Sequence, residues 1–241
     1  MPGSPVVVVT NATSYVGPAS VDRLLRDGAL VVAQVGDTAQ ARQAYLDTHP
    51  GVVVTDAEDP AEIISAAIAA HGRLDAVVSN DDAPAIRASI EDAELSDFRQ
   101  GIEDMMVRPF AIAKAAVQVM KAQGSGRILM ITSAAPLRGL TNYSMYAAAR
   151  GGANALMLSL SRELAPHNII VNAIAPNYVA NPTYFPPTLL DDPKARAKIE
   201  RNIPLGRLGT PDEVGALVSF FAIGDCGFVT GHVVPIAGGW A

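Results

Sequence analysis

A serine, a tyrosine and an arginine in the second half of the chain have the types and the spacing for proton transfer at an alcohol. Ser133 follows an apolar run, and Tyr146 lies thirteen residues later, at the start of a long helical stretch. Arg150 is four residues after Tyr146, so both side chains project from one helix face. A phenol ordinarily has a pKa of about 10, so a tyrosine base near neutral pH needs a cation at its oxygen. Arg150 could be that cation, and Ser133 could hydrogen-bond the alcohol oxygen.

The same three residues have a second interpretation, as a surface tyrosine–arginine pair and an unrelated serine. Tyr143 is a rival base on the same stretch, but the residue four positions later is Ala147, which carries no charge. The spacing alone does not decide between these interpretations.

Strand and helix patterns alternate about seven times along the chain. Short apolar runs predict strands over 5–10, 31–35, 51–54, 75–78, 127–132, 169–175 and 232–236. Helical spacing predicts helices over 18–27, 39–48, 60–71 with Asp59 as N-cap, 96–123 with a kink at Pro109, 143–167 and 211–223, and a loop over 177–193. This alternation predicts a Rossmann-like, doubly wound parallel sheet with helices on both faces, in a single α/β domain over 1–241.

Ligands of such sheets bind beyond the carboxyl ends of the strands. Four segments are predicted to lie there: 10–17, 79–82, 133–140 and 176–185. We therefore expect the functional site among these four segments.

Composition excludes several classes of protein. With 241 residues, 49% of them hydrophobic and 17% charged, the chain is long and apolar enough for a sizeable core. A net charge of -6 argues against a nucleic-acid partner, and a single cysteine, Cys226, excludes an internal disulfide. Four scattered histidines predict no metal site. No apolar run has the roughly 18 residues of a membrane span, and no signal peptide is evident, so we expect a cytoplasmic protein without a membrane partner.

The turn after the first predicted strand is unusual for a dinucleotide site, which needs glycines where backbone approaches the pyrophosphate. Segment 10–17 keeps only Gly17, and the bulky Tyr15 stands where the phosphate would approach. The second strand ends without an acidic residue for the ribose, since Asp37 lies further on, in the loop. Either this is an atypical cofactor turn, or the pocket is filled and holds something smaller.

The whole chain resembles the short-chain dehydrogenase/reductase superfamily in the Ser133…Tyr146-x-x-x-Arg150 spacing, the loop at Pro176 and the ending Thr230-Gly231-His232…Gly238-Gly239. Four departures accompany these matches: arginine replaces the family's lysine, the glycine turn is lost, segment 79–82 reads Ser-Asn-Asp-Asp, and Met105 stands at the family's helix asparagine. Together they are similar to the halohydrin dehalogenases. Further segments that resemble that group are 78–81, 108–110, 176–178, 181–186 and 204–209.

The resemblance implies a reaction without nicotinamide or any other cofactor. Tyr146 would take the proton of a hydroxyl next to a C–Cl or C–Br carbon, and the alkoxide would displace the halide to close an epoxide. Ser133 would hold the substrate oxygen, and Arg150 would favour the phenolate. Asp81 would pair with Arg150 and help to pass the proton to water.

The resemblance also implies an anion site and a substrate wall. The backbone N–H groups of Tyr178 and Val179 would hold the halide, in a pocket lined by Pro176, Asn177 and the ring of Tyr15. The substrate side would be walled by Leu140, Tyr184 and Phe185. Azide, cyanide and nitrite would open epoxides in the reverse direction, and pairing of the two long helices would produce a homotetramer.

Two other functions stay open on the sequence. One is a nicotinamide-dependent short-chain oxidoreductase with a degenerate cofactor turn. The other is a catalytically silent relative that serves as a binding protein.

Overall fold

The computed structural model describes residues 3–36, 38–182 and 184–241. Within them seven strands form one sheet: β1 (Val6–Val9), β2 (Leu30–Gln34), β3 (Val53–Thr55), β4 (Ala76–Ser79), β5 (Gly126–Ile131), β6 (Ile169–Pro176) and β7 (Val233–Ile236). Their order is β3-β2-β1-β4-β5-β6-β7, and all neighbouring strands are parallel. The predicted Rossmann-like α/β fold is confirmed. Asp37, which the sequence analysis placed in the loop after β2, lies outside the described residues.

Helices connect the strands and cover both faces of the sheet. They are α1 (Gly17–Arg26), α2 (Ala39–Thr48), α3 (Pro60–His71), α4 (Leu95–Ile102), α5 (Arg108–Gln123), α6 (Ala135–Arg138), α7 (Ser144–Leu164), α8 (Pro187–Leu190), α9 (Pro193–Glu200) and α10 (Pro211–Ile223). Asp59 caps α3 as predicted, because its carboxylate accepts the N–H groups of Ala61 (2.8 Å) and Glu62 (3.2 Å). Across the described residues, no helix is both long and apolar enough to cross a bilayer.

The four valines of β1 show why helices cover both faces of the sheet. All four are fully buried, and successive side chains of a strand point to opposite faces. Val7 and Val9 belong to the core under α1 and α10, whereas Val6 and Val8 belong to the core under α3, α5 and α7. A strand buried on both faces reads as a continuous apolar run, which is the pattern that the sequence shows.

The predicted single helix over 96–123 with a kink at Pro109 is wrong in detail. Helix α4 ends at Ile102, a π-helical turn follows over Glu103–Val107, and α5 begins at Arg108. Proline has no N–H to donate and its ring crowds the carbonyl four residues earlier. A wider turn directly before Pro109 removes that conflict, because the hydrogen bonds there run over five residues instead of four.

Two other boundaries differ from the prediction. Helix α7 begins at Ser144, with Tyr143 as its N-cap, and it passes into a short 3-10 turn over Ala165–His167. The segment 177–193, predicted to be a loop, contains the one-turn helix α8. Proline suits the first turn of a helix, since no N–H is needed there, so the prolines that indicated a loop begin a helix instead.

Candidate active site

The carboxyl ends of the central strands enclose a cavity of about 340 Å³. Three of the four predicted segments contribute to its wall, and the segment 79–82 lies behind it. The lining residues are Tyr15, Ala85, Ser133, Leu140, Tyr143, Tyr146, Pro176, Asn177, Tyr178, Val179, Asn181, Tyr184 and Phe185. The predicted halide-side and substrate-side residues therefore share one cavity with Ser133 and Tyr146.

Ser133 is held with its hydroxyl oxygen fixed and its proton free. It lies two residues beyond β5 and is almost completely buried. Its Oγ accepts the backbone N–H of Ala135 (3.1 Å), at the start of α6. The hydroxyl proton has no protein acceptor among the described residues, so Ser133 can donate to an oxygen in the cavity.

Arg150 is a fully buried cation beneath the cavity. Its Nη1 donates to the carbonyl oxygens of Asp81 (2.9 Å) and Ile131 (3.0 Å). Its guanidinium carbon is 5.5 Å from the ring centroid of Tyr146 and 5.8 Å from that of Tyr15. Burial by itself lowers the pKa of Arg150, but the neighbouring phenols and a carboxylate outweigh it and raise the pKa above its usual value. The side chain is therefore charged at any working pH.

The carboxylate that pairs with Arg150 belongs to Asp82, and the expectation that the Asp81 side chain does so is wrong. Nη2 of Arg150 donates to Asp82 Oδ1 at 3.1 Å. The Asp81 carboxylate turns the other way, where it accepts Nε of Arg108 (3.1 Å) and the hydroxyl of Ser79. Consecutive residues beyond a strand point to opposite sides, so only one of the two carboxylates can face Arg150.

Both carboxylates are poorly solvated. Burial raises the pKa of Asp81, against the opposing effects of the Ser79 hydroxyl and Arg108. Burial likewise raises the pKa of Asp82, against the opposing charge of Arg150. Asp82 keeps 23% of its side chain exposed, whereas Asp81 keeps 1%, so Asp82 is the carboxylate that connects Arg150 to solvent.

The β1–α1 turn does not fit a nicotinamide dinucleotide. Tyr15 has a left-handed backbone (φ 52°), its ring lies against Arg150, and its hydroxyl donates to the Thr132 carbonyl at 3.4 Å. Burial raises the pKa of Tyr15 well above the ordinary value, so the phenol stays neutral. The remaining glycine, Gly17, has a packing role, because a Cβ there would lie 2.5 Å from the Asn11 carbonyl oxygen.

The neighbouring positions fit the dinucleotide no better. The buried Gln34 lies at the end of β2, where a dinucleotide site would have an acidic residue to bind the ribose. Its side chain accepts the Asn11 N–H (3.1 Å) and donates to the Ala57 carbonyl (2.9 Å). Met105, at the position of the dehydrogenases' helix asparagine, is buried in an apolar cluster against Tyr146. Neither residue offers a polar group to a cofactor.

The loop after β6 carries the predicted anion donors, with one difference from the expectation. Tyr178 has a left-handed backbone (φ 54°), a conformation found in anion-binding nests. Its N–H is already used, since it donates to the side-chain oxygen of Asn177 at 2.9 Å. The N–H of Val179 donates to no acceptor among the described residues, and the parallel bridge from Val179 to Gly209 fixes the loop. Of the two predicted backbone donors, only the N–H of Val179, a residue that lines the cavity, is thus free.

Aromatic packing supports this loop from behind. The ring of Tyr178 lies 5.8 Å from that of Trp240, edge to face, and 6.1 Å from that of Phe185. Arg138 lies over Trp240 at 4.9 Å and donates to its carbonyl oxygen (2.8 Å). The C-terminal tryptophan thereby positions Tyr178.

The sequence analysis missed three lining residues and one partner. Tyr143 was considered only as a rival base, and Ala85 lies in an irregular segment without a motif. Asn181 lies in the segments 176–185 and 181–186 but was assigned no role. Asp82 lies in the predicted strand-end segment 79–82, but its residue type does not distinguish it from Asp81 as the partner of Arg150. The place of Asn181 in its two segments was the available signal, and in the structure its Oδ1 accepts the Tyr184 N–H at 2.8 Å.

Comparisons with known proteins agree on the superfamily and divide on the reaction. A solved structure described as a dehalogenation enzyme is 43% identical, with TM-score 0.95, over 99% of both chains. A halohydrin dehalogenase bound to ethyl (2S)-oxiran-2-ylacetate is 38% identical, with TM-score 0.91, over 97% of this chain and 96% of that one. By sequence, the 3-oxoacyl-(acyl-carrier-protein) reductase of Thermotoga maritima is 31% identical over 97% of this chain and 96% of its own.

The family model described as enoyl-(acyl carrier protein) reductase matches residues 12–241, which is nearly the whole chain. That match agrees with the parallel sheet, the strand-end cavity and the Ser133–Tyr146 pair. The chain belongs to this family, within the short-chain dehydrogenase/reductase superfamily.

Proposed function

We propose that this protein is a halohydrin dehalogenase, which closes vicinal haloalcohols to epoxides without a nicotinamide cofactor. The single observation that carries the proposal is the position of Tyr15. Its ring lies 5.8 Å from the buried guanidinium of Arg150, at the strand end where a dinucleotide would need bare backbone. The site thus keeps a serine, a tyrosine and a cation while its cofactor turn is filled. The similarity to two dehalogenating structures supports the same conclusion.

In the proposed reaction, Tyr146 as phenolate takes the proton of the substrate hydroxyl, and Ser133 donates a hydrogen bond to the same oxygen. The alkoxide attacks the adjacent carbon, so a C–O bond forms while the carbon–halogen bond breaks and the halide leaves with the electron pair. The proton then passes from Tyr146 to water. The products are an epoxide, a halide ion and a proton. Arg150 stabilises the phenolate and does not itself titrate.

The departing halide is held by polarised donors rather than by a full charge. The Val179 N–H and the side-chain amide of Asn177 are the donors that this loop offers to the cavity. Such an anion-binding site selects anions by size and charge and contains no group specific to chloride. Run backwards, the reaction delivers azide, cyanide or nitrite to an epoxide, and Tyr146 then donates the proton.

The test is an incubation with 1,3-dichloro-2-propanol in the absence of any nucleotide. We expect chloride and acid to appear in equal amounts as epichlorohydrin forms. A silent binding protein would release neither. An oxidoreductase would need a nucleotide and would not release chloride in proportion to acid.

A nicotinamide-dependent oxidoreductase is the second candidate, favoured by the 31% identity to a reductase over 97% of this chain. Calorimetric titration with NAD(H) and NADP(H) discriminates the two. The filled turn predicts no binding at sub-millimolar nucleotide, whereas micromolar binding would favour the oxidoreductase.

A further inference from the structure

The peptide bond between Tyr178 and Val179 is oriented by Gly209. The Gly209 N–H donates to the Tyr178 carbonyl at 2.9 Å, and the Ala180 N–H donates to the Gly209 carbonyl at 2.9 Å. These two bonds form the parallel bridge between Val179 and Gly209. In a planar trans peptide the N–H points away from the carbonyl of the same peptide. Because the Tyr178 carbonyl points toward Gly209, the free Val179 N–H points away from it.

The Val179 carbonyl points to that same side, where Asn181 binds it. It shares a peptide with the Ala180 N–H, which points toward Gly209, so this carbonyl also points away from Gly209. Nδ2 of Asn181 donates to it at 2.9 Å. The side-chain amide of Asn181, which lines the cavity, therefore lies on the side of the bridge to which the free Val179 N–H points.

The remaining acceptors of Asn181 bind the next turn of the loop. Its Oδ1 accepts the Tyr184 N–H at 2.8 Å, and its backbone carbonyl accepts the Phe185 N–H at 2.9 Å. Both ends of the half-buried side-chain amide are thus bonded to backbone. The amide links the Val179 peptide to the segment that carries Tyr184 and Phe185, so neither can turn without breaking one of its hydrogen bonds.

We infer that Asn181 is a positioning residue for the proposed anion site, where it holds the Val179 peptides so that the Val179 N–H stays directed at a small monovalent anion. The inference rests on the proposed function, because that proposal places the departing halide at the Val179 N–H. A donor that is held in place binds without a reorganisation cost, whereas a donor that must first turn toward the anion loses part of the binding free energy. Asn181 acts through Val179 in this account and not by reacting with the substrate.

The test measures anion binding without turnover in the wild type, Asn181→Ala and Asn181→Asp. The probe is chloride, whose NMR line broadens when it exchanges with a protein site, and bromide is added to displace it. We expect the bromide dissociation constant to rise by about fivefold in Asn181→Ala, the effect of one lost hydrogen bond. Asn181→Asp keeps an acceptor for the Tyr184 N–H but cannot donate to the Val179 carbonyl, so it should weaken bromide at least as much.

Asn202→Ala is the matched control. The Asn202 amide also donates to a backbone carbonyl, that of Lys198 at 2.8 Å, but it is exposed and does not line the cavity. Urea unfolding compares the stability lost in Asn202→Ala and in Asn181→Ala. We expect both to lose stability, and only Asn181→Ala to lose anion affinity.

A kinetic measurement distinguishes positioning of the anion from damage to the rest of the site. In azide opening of epichlorohydrin, Asn181→Ala should raise the KM for azide by about fivefold and keep kcat within about twofold, because Ser133 and Tyr146 are not touched. A fall in kcat with an unchanged KM for azide would contradict the inference.

The binding results decide the inference independently of the reaction. Bromide affinity of wild-type strength in Asn181→Ala overturns it. Wild-type strength in Asn181→Asp also overturns it, because only the bond to Tyr184 would then matter, and so does a wild type that binds no chloride. Anion binding that depends on Asn181, in a protein that releases no halide from 1,3-dichloro-2-propanol, would overturn the proposed reaction alone.

Discussion

Arg150 is the residue on which the electrostatics of the site depend. The groups that face it are the phenols of Tyr146 on α7 and Tyr15 on the β1–α1 turn, and the carboxylate of Asp82 beyond β4. Asp81 contacts Arg150 through its carbonyl oxygen and not through its carboxylate, which is paired with Arg108. Asp82 is thus the one directly paired anion among the described residues, and its charge opposes the effect of Arg150 on Tyr146.

Replacing Asp82 by asparagine should move the acidic limb of the halide-release profile to lower pH. The amide oxygen can still accept from Arg150, but the opposing negative charge is gone, so the cation favours the phenolate more strongly. The measurement is kcat/KM for halide release as a function of pH.

Asp47→Asn is the matched control, because it removes the same charge from the exposed face of α2. An acidic limb that lies at the same pH in both variants would mean that Asp82 does not act through Arg150. An acidic limb that moves to higher pH in Asp82→Asn would contradict the predicted direction of the effect.

At the residue scale, the spacing of residues along the chain predicted side-chain contacts better than the residue types did. The four-residue step from Tyr146 to Arg150 follows from helix geometry, so their juxtaposition was predictable. The partner of Arg150 was not, since Asp81 and Asp82 are the same residue type and only the backbone direction beyond β4 decides which one turns inward.

At the scale of elements, the loop after β6 is proposed to seat the anion. Asn177→Asp preserves the acceptor for the Tyr178 N–H but replaces the amide donor by a negative charge beside the proposed anion site. We expect azide opening of epichlorohydrin to fall by more than about tenfold, the value of a lost hydrogen bond to an ion, and bromide to cease inhibiting it. The assay is azide-dependent loss of epichlorohydrin with and without bromide.

Asn168→Asp introduces the same charge just before the amino end of β6, away from the cavity, and should leave azide opening intact. If the two variants behave alike, or if wild-type azide opening is indifferent to bromide, the anion does not come from the loop after β6.

The N-terminus of α10 is the element whose stability can be stated most simply. The Thr210 hydroxyl accepts the Glu213 N–H (3.3 Å), and the Glu213 carboxylate accepts the Thr210 N–H (2.8 Å), which is a complete capping box. Thr210→Ala should lower the free energy of unfolding by about 1 kcal/mol, and Thr210→Ser should restore most of it. Urea unfolding measures both; equal stability of all three proteins would show that the cap contributes nothing.

Two helices with both a side-chain cap and a proline at their start, α3 and α10, were predicted to the residue. Asp59 and Thr210 satisfy the first free N–H groups of these helices, and this requirement is local in sequence. The π-helical turn at Glu103–Val107 was not predictable, because the helical periodicity around Pro109 is compatible with either a kink or a wider turn. Which of the two occurs depends on packing against α7 and not on the residues of the turn alone.

At the scale of the whole molecule, an apolar groove lies open to solvent between the π-helical turn, the start of α5 and α7. Its walls are Met106, Val107, Phe110 and Leu156, and Phe110 is 47% exposed. We propose that a second copy of the chain covers it, which is the helix pairing that the tetramer expectation requires. Phe110→Glu should then lower the mass measured by light scattering.

Phe228→Glu, at a phenylalanine that is fully exposed outside the groove, is the matched control and should leave the mass unchanged. A wild type that is monomeric at every concentration tested, or a Phe110→Glu protein of unchanged mass, would contradict helix pairing at this groove.

The strand order and the position of the cavity were predictable at this scale, because right-handed crossovers restrict a run of alternating strands and helices to few topologies. The reaction was less predictable from the fold, since solved structures described as a halohydrin dehalogenase and as a levodione reductase share it. Among the features that argue against a dinucleotide in this chain, the contact of Tyr15 with Arg150 is the one on which the proposed function rests.

The most direct test of the account is chloride release from 1,3-dichloro-2-propanol by the wild type and by Tyr146→Phe, both freed of nucleotide. Phenylalanine keeps the ring packed beside Arg150 but removes the proton acceptor, and a general base typically contributes about 10²–10⁴-fold. We predict rapid chloride release by the wild type without any added cofactor, and a loss of at least about 100-fold in Tyr146→Phe. A wild type that releases chloride only with a nicotinamide nucleotide, or a Tyr146→Phe protein that retains about a tenth of the rate, would contradict the account.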